Sequence, residues 1–228
     1  MSIQQLTLFF ENTISATEIK LLRGAVINAL QNDNVLFHNH TGEDGLRYAY
    51  PLIQYKRVKG KAVIVCIGEG VEAIGEFFNK TSTKVWLGER EIELKLAEIR
   101  PTEFSLEPVS MMQAYSLRGW LPLNGENYHQ YMQTPSLADQ IKLLEHILTG
   151  NLLSMGKGLG IYWTEPISCC ITAIQHTYSK VYKGVKLVAF DIEMQCNLRL
   201  PSYIGLGKNV SLGSGILFHK SYRGSQSK

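Results

Sequence analysis

Two histidines separated by one residue, His38 and His40, are the first candidates for chemistry in this 228-residue chain. Histidine has its ordinary pKa closest to neutral pH, so it can both accept and donate a proton. On an extended backbone, residues i and i+2 point to one face about 7 Å apart. Such a pair suits a general base and a general acid on either side of a phosphate. Two ordinary loop histidines are an equally good interpretation of these residues alone.

Aromatic and cationic residues alternate just after the histidines, in a tract that reads Arg-Tyr-Ala-Tyr-Pro-Leu-Ile-Gln-Tyr-Lys-Arg-Val-Lys-Gly-Lys over residues 47–61. Tyr48 and Tyr50 share one face of an extended chain. Aromatic rings can stack on unpaired bases while cations hold phosphates, so this pattern is typical of a single-stranded RNA surface. A sheet strand with outward-pointing lysines is the simpler alternative.

A glycine-rich segment near the end of the chain is the third candidate. Residues 205–215 place two Gly-x-Gly clusters around a lysine; the relevant positions are Gly205, Gly207, Lys208, Gly213 and Gly215. Glycine allows positive φ and close backbone approach, and free amides beside a cation suit a phosphate. A glycine-rich turn packed between strands is the alternative.

Other patterns carry less chemistry. Gly68-Glu69-Gly70 follows an apolar strand, but its spacing does not fit a dinucleotide fingerprint and its glutamate would repel phosphate. The four cysteines lack a C-x-x-C spacing, which favours reduced core thiols in a cytoplasmic protein. Glu43 and Asp44 follow the histidines, yet a metal site needs three or four converging ligands, so no metal or cofactor is expected.

Charge and hydropathy narrow the choice of partner. The formal net charge is only +3, but no acidic residue follows Glu193, so the last 35 residues are basic. Two separated basic patches on a nearly neutral protein favour a polyanion as partner. No apolar run reaches the roughly 20 residues of a membrane span, and the start lacks a basic leader, so we expect no membrane and no signal peptide.

These candidates must be positioned by two sets of elements. In the first half the patterns predict a strand at 3–10, a helix opened by Ser15 with Glu18 as its capping partner, strands at 47–58 and 62–67 joined by Lys59-Gly60, a helix ending near 80, and strands at 83–87 and 91–99. That order is the split βαβ arrangement of a ferredoxin-like fold.

A similar order follows in the second half. The patterns predict a strand at 114–123, a helix from 135 onward, strands at 167–175 and 185–198, and a last strand at 216–219. The chain is therefore expected to be an α+β protein of two tandem ferredoxin-like (βαββαβ) domains. We place them at residues 1–105 and 106–220, followed by a disordered tail at 221–228.

Together these residues resemble the CRISPR-associated endoribonucleases that cut precursor CRISPR RNA within its repeats, the Cas-six family of the RAMP superfamily. The resemblance rests mainly on Gly205-Leu206-Gly207 and Gly213-Ser214-Gly215 with Lys208 between them. Ser214 departs from the family pattern, where an apolar residue is usual. His38-Asn39-His40, followed by Tyr-Pro-Leu-Ile-Gln-Tyr-Lys, adds to the likeness.

The resemblance implies metal-independent cleavage by attack of a ribose 2′-hydroxyl, leaving a 2′,3′-cyclic phosphate and a 5′-hydroxyl. Carried onto this sequence, it implies that His40 is a general base or acid and His38 the second catalytic or positioning histidine. Tyr48 or Tyr50 would orient the 2′-hydroxyl or phosphate, and Lys56 would stabilise the transition state. The loop glycines with Lys208 would hold RNA backbone, with Arg57 and Lys59 as further contacts.

The implied partner is CRISPR repeat RNA in the cytoplasm, with other subunits of a CRISPR effector complex as further candidates and a homodimer left open. The alternative function is a catalytically inactive RNA-binding subunit of a CRISPR ribonucleoprotein. A nucleotide-binding domain that uses Gly68-Glu69-Gly70 is a third hypothesis, which predicts a rise in melting temperature with nucleotide.

Overall fold

A computed structural model of the chain describes residues 2–30, 36, 50–79, 83–182 and 184–220. Two compact units make up the chain. The first comprises the residues up to Ser105 and two later segments, Lys157–Gly160 and Asn209–Gly213. The second comprises Leu106–Gly156, Ile161–Lys208 and the chain from Ser214 onward.

The first unit is a sheet covered by helices, with a separate hairpin. The elements are β1 (Ile3–Thr13), α1 (Glu18–Leu30), β2 (Ile53–Val58), β3 (Lys61–Ile67), α2 (Glu69–Asn79), β4 (Lys84–Leu87), β5 (Arg90–Glu93) and β6 (Leu96–Phe104). The main sheet is antiparallel with the strand order β2-β3-β1-β6, while β4 and β5 form a separate two-stranded sheet.

Local sequence explains why α1 begins where it does. The Glu18 carboxylate accepts a hydrogen bond from the Ser15 amide at 2.7 Å, as the capping pattern predicts. The apolar side of the helix, which includes Leu22 and Val26, then packs into one core with Ile64 of β3 and other sheet residues. Burial of this stripe, rather than helix propensity, holds the helix on the sheet.

The β2–β3 hairpin turns at the predicted dipeptide. Lys59 and Gly60 both have positive φ, 50° and 84°, as in the two-residue turns that match strand twist. Gly70, in the first turn of α2, has a packing role: a Cβ there would lie 2.7 Å from the Leu52 carbonyl oxygen. Its close approach to Leu52 accounts for the glycine, so it lends no support to a nucleotide site.

The second unit has the same sheet order. Its elements are β7 (Pro108–Trp120), α3 (Gly125–Gln133), α4 (Leu137–Gly158), β8 (Cys169–Tyr182), β9 (Val185–Leu198) and β10 (Ile216–His219). The antiparallel sheet runs β10-β7-β9-β8, so the main sheet of each unit places its fourth, first, third and second strands side by side. The fold class of two tandem ferredoxin-like domains is confirmed.

The second unit differs from the first in its last crossover. Where α2 connects two strands in the first unit, residues 199–215 connect β9 to β10 with only one 3₁₀ turn, Val210–Leu212, which groups with the first unit. The glycine-rich segment therefore occupies the place in the chain of a second ferredoxin helix. The core of the second unit is tied to α4 by a 2.9 Å hydrogen bond from Trp120 Nε1 to Asn151 Oδ1.

Three element predictions are corrected. Residues 91–99 are not one strand, because the chain leaves β5 after Glu93 and enters β6 at Leu96, where it joins the main sheet. Helix α3 is an additional element, capped by Asn124, whose Oδ1 accepts from the Asn127 amide at 2.6 Å. The strand predicted at 47–58 begins at Ile53 within the described residues.

Candidate nucleic-acid interface

The predicted catalytic histidines, His38 and His40, lie outside the described residues, as does Tyr48. Their roles stay predictions. Tyr50 is described: it is half-buried and lies against Gly158, which belongs to the same unit. A Cβ on Gly158 would lie 2.4 Å from the Tyr50 Cβ, so the absence of a side chain at position 158 leaves the room that Tyr50 occupies.

Lys56 is fully buried, which the sequence does not anticipate for a lysine in a basic tract. It lies on β2 opposite Val63 of β3, and its ammonium has no hydrogen-bond partner in the described parts of the chain. Burial lowers the pKa of Lys56 to about 7, because a charge is poorly solvated there. An RNA phosphate cannot reach an ammonium so placed, so we leave Lys56 out of the proposed catalytic set.

Arg57 and Lys59 lie at the exposed end of the β2–β3 hairpin. Arg57 Nε donates to the Ile14 carbonyl oxygen at 2.6 Å, which holds its guanidinium against the chain entering α1. Lys59 occupies the first turn position with positive φ, and its side chain is exposed. Both cations therefore stay accessible to a polyanion, in contrast to the buried Lys56, which directly precedes Arg57.

The glycine loop is closely packed, and this accounts for two of its glycines. Gly215 has φ +61°, and a Cβ there would lie 1.8 Å from the Leu206 carbonyl oxygen. Gly207 has φ +89°, and a Cβ there would lie 2.8 Å from Trp120 Cδ1. No L side chain fits such positions without a shift of the backbone, so the turn interpretation accounts for these residues on its own.

Backbone hydrogen bonds use many of the amides that the sequence offers to a phosphate. Five loop amides donate to main-chain carbonyls; they are those of Leu206, Lys208, Leu212, Gly213 and Gly215. These five are not available to a ligand. The loop therefore offers an anion its side chains more than its backbone amides.

Lys208 is the cation that the loop itself supplies. Its amide donates to the Leu121 carbonyl oxygen at 3.1 Å, which fixes the backbone, while the side chain is exposed. Partial burial lowers the pKa of the Lys208 ammonium, because some of its hydration is lost. An exposed cation on a fixed backbone is well placed for a phosphate contact.

A second cation at the loop comes from β8 and was missed by sequence reasoning. Lys180 Nζ donates to Ser214 Oγ at 3.0 Å, and Ser214 is buried with 1% exposure. The two residues are 34 positions apart, so no spacing rule connects them. The only sign of this contact in the sequence is Ser214 itself, the position at which the loop departs from the glycine-loop pattern of the family that it resembles.

Two other cations of this unit, Arg118 and Lys220, are paired with carboxylates. The Glu193 carboxylate accepts from Gln175 Nε2 at 2.6 Å and pairs with Lys220 Nζ at 2.7 Å and with Arg118 Nη2 at 3.4 Å. Asp191 accepts from the Gly119 amide at 2.7 Å and lies 3.6 Å from the His176 ring. The basic end of the chain is thus partly neutralised at Lys220.

Metal-binding clusters and membrane-spanning helices are both absent from the described residues. Within residues 2–30, 50–79, 83–182 and 184–220, no group of three or more His, Cys, Asp or Glu side chains converges as a metal site would. The same residues include no helix long and apolar enough to cross a membrane. All four cysteines are free thiols, and Cys66 and Cys196 are buried.

Both halves of the chain match models of one protein family. A model of the Cas6b N-terminal domain matches residues 1–105, and a model of the Cas6b C-terminal domain matches residues 107–219. An uncharacterized protein of Methanocaldococcus jannaschii is 31% identical over 141 residues, which cover 58% of this chain and 94% of that protein.

Solved structures share the fold. A crystal structure of Cas6b has a TM-score of 0.87 at 23% identity, covering 96% of this chain and all of the other. A crystal structure of the CRISPR RNA processing endoribonuclease Cas6b has a TM-score of 0.75 with the same identity and coverage. Since two models of one family account for nearly every residue from 1 to 219, and the tandem ferredoxin-like fold agrees, the chain belongs to the Cas6b family.

Proposed function

We propose that this protein is an endoribonuclease that cuts precursor CRISPR RNA within its repeats. The observation that carries the proposal is the match of both halves of the chain to Cas6b domains. Exposed cations at the β2–β3 turn and at the glycine loop support it, since they supply the electrostatic attraction that an RNA backbone needs. RNA is the substrate because the reaction uses a 2′-hydroxyl that DNA lacks.

The cleavage step requires no change of oxidation state and no added nucleophile. A general base takes the proton of the 2′-hydroxyl, the O2′–P bond forms, and the P–O5′ bond breaks. A general acid gives its proton to the leaving 5′-oxygen. The products are a 2′,3′-cyclic phosphate and a 5′-hydroxyl. A positioned acid or base contributes about 10²–10⁴-fold to the rate.

We assign His40 to the base or acid role and His38 to its counterpart or to positioning, because an imidazole can exchange a proton near neutral pH and the two residues are two positions apart in the sequence. Tyr48 is the candidate for orienting the 2′-hydroxyl. Tyr50, Arg57, Lys59 and Lys208 are the candidates for RNA contacts. The catalytic step proposed here uses side chains alone.

The test is a cleavage assay with the purified full chain and a CRISPR repeat RNA. We expect two fragments whose ends are a 2′,3′-cyclic phosphate and a 5′-hydroxyl. The matched control is the same RNA with 2′-O-methyl groups at every ribose, which keeps the phosphates but removes the nucleophile. Cleavage of this control would contradict the proposed attack. Binding of the unmodified RNA without any product would instead favour a catalytically inactive RNA-binding subunit.

A further inference from the structure

We infer that Lys180, held by Ser214, binds a phosphate of the RNA backbone beside the glycine loop. The inference rests on the proposed function, since the phosphate is that of the repeat RNA. It adds to the loop a cation from a distant strand, β8. It also gives a role to Ser214, the residue at which this loop departs from the pattern that it resembles.

Ser214 fixes the position of the Lys180 ammonium. Lys180 Nζ donates to Ser214 Oγ at 3.0 Å. Ser214 is almost completely buried, and the next residue is fixed because the Gly215 amide donates to the Gly119 carbonyl oxygen at 2.9 Å. A buried hydroxyl on a fixed backbone holds the ammonium at one point. An apolar residue at 214 could not accept this hydrogen bond.

The Lys180 ammonium carries its charge in a partly desolvated position. Lys180 is half-buried, and burial lowers the pKa of its ammonium. No carboxylate of the described residues lies within 4.0 Å of it, whereas Lys220 of the same unit pairs with Glu193 at 2.7 Å. A partly desolvated cation that meets only a neutral hydroxyl lacks a compensating charge. A phosphate would supply this charge.

The Lys180 ammonium has more hydrogen-bond donors than Ser214 uses. A lysine ammonium has three N–H groups, and the Ser214 hydroxyl accepts one of them. The remaining donors suit the anionic oxygens of a phosphodiester. Because five amides of the loop already donate to carbonyls, a side-chain cation at this point matters more for anion binding than it would beside free amides. The site recognises backbone phosphate and carries no base specificity.

The experiment measures RNA affinity as a function of salt. The full chain is titrated with 2′-O-methylated repeat RNA, which is not cut, from about 50 to 200 mM salt. Loss of one phosphate contact reduces the slope of log K against log salt by about 0.7–0.9. We expect this reduction in Lys180→Met, together with roughly 3–10-fold weaker binding. Lys180→Gln, which also removes the charge, should give the same slope if Lys180→Met does not fold.

The matched control is Lys142→Met, which removes an equal charge from α4, where Lys142 is 74% exposed and pairs with Asp139. We expect a slope like that of the wild-type protein. Ser214→Ala keeps the charge but frees the ammonium, so binding should weaken by a smaller factor with the slope retained. Inorganic phosphate at the same ionic strength should compete no better than chloride, because one free anion lacks the neighbouring contacts of the RNA.

The outcomes distinguish failure of the proposed function from failure of the phosphate assignment to Lys180. If the wild-type protein does not bind the RNA, the proposed function fails and the phosphate assignment fails with it. If the wild-type protein binds but the Lys180→Met slope equals that of Lys142→Met, the assignment to Lys180 is wrong while the proposed function stands. Ser214→Ala with unchanged affinity would remove the positioning role of the serine.

Discussion

The amide of Leu206 donates to the carbonyl oxygen of Gly215 at 2.9 Å, so the two Gly-x-Gly clusters of the loop are hydrogen-bonded to each other. The contact is so close that a Cβ on Gly215 would lie 1.8 Å from the Leu206 carbonyl oxygen. The glycines therefore determine the shape of the loop, and its side chains determine what it binds.

We expect Gly215→Ala to lower the free energy of unfolding by more than about 2 kcal/mol, because it combines positive φ with a backbone clash. The control is Gly150→Ala in the middle of α4, where a Cβ would meet no atom within 4 Å. That substitution should stabilise the protein by about 0.5–1 kcal/mol. Urea unfolding of both variants measures the difference; equal stabilities would contradict the packing account.

Lys56→Met should stabilise the protein most at low pH. Because the folded pKa of Lys56, about 7, lies below its ordinary value, the folded state carries the cost of a buried charge below pH 7. Between pH 7 and about 10.4 the unfolded chain binds a proton that the folded chain lacks, so this lysine makes stability rise with pH.

The stability advantage of Lys56→Met should therefore shrink as pH rises above 7, by at most about 1.4 kcal/mol per pH unit. Burial raises the pKa of the Cys66 thiol, which acts in the opposite direction at alkaline pH, so the quantity to follow is the difference between variant and wild type. Lys142→Met, at an exposed position, should show no such trend. A constant difference for Lys56→Met from pH 6 to 9 would contradict the buried charge.

His40→Ala should abolish cleavage while RNA binding stays nearly intact. We expect single-turnover cleavage to slow by about 10²–10⁴-fold, the range of a positioned acid or base. Binding of uncut RNA should change by less than about 3-fold, since the electrostatic contacts remain. His146→Ala in α4 is the control for loss of a histidine elsewhere. Unchanged cleavage by His40→Ala would remove this residue from the mechanism.

Removal of divalent metal should leave the activity unchanged. The proposed step moves protons between side chains and RNA oxygens and uses no metal-bound water. Cleavage in excess EDTA, compared with cleavage in added Mg²⁺ at matched ionic strength, measures this. Loss of activity in EDTA that Mg²⁺ restores would favour a metal site near the histidines instead.

Much of the fold follows from hydrophobic periodicity and turn residues. Leu22 and Val26 recur at helical spacing on α1, and Lys59-Gly60 between two apolar strands predicts the hairpin that is observed. Helix α3 carries no such signal because it buries no residue, so an apolar stripe is absent from its sequence. Hydrophobic periodicity likewise does not predict the last crossover, residues 199–215, because backbone hydrogen bonds and not an apolar stripe hold it in place.

The candidate site was harder to predict because burial and long-range contacts decide it. Lys56 looks like a surface cation in the sequence, yet its side chain is fully buried. Lys180 looks like one of many lysines, and only the fold of β8 brings it to Ser214. Local sequence records residue type and spacing, but the solvation of an ammonium depends on what the tertiary structure places around it.

The glycine loop stands where a ferredoxin-like domain would have a second helix, and this affects how the protein can be redesigned. A helix restricts its exposed positions to residues that keep helical geometry and a buried stripe. Here main-chain hydrogen bonds and obligatory glycines hold the segment, so its exposed residue, Lys208, can be replaced by varied side chains without loss of the scaffold. A library at position 208, with the glycines kept, is therefore a direct route to variants of altered RNA affinity.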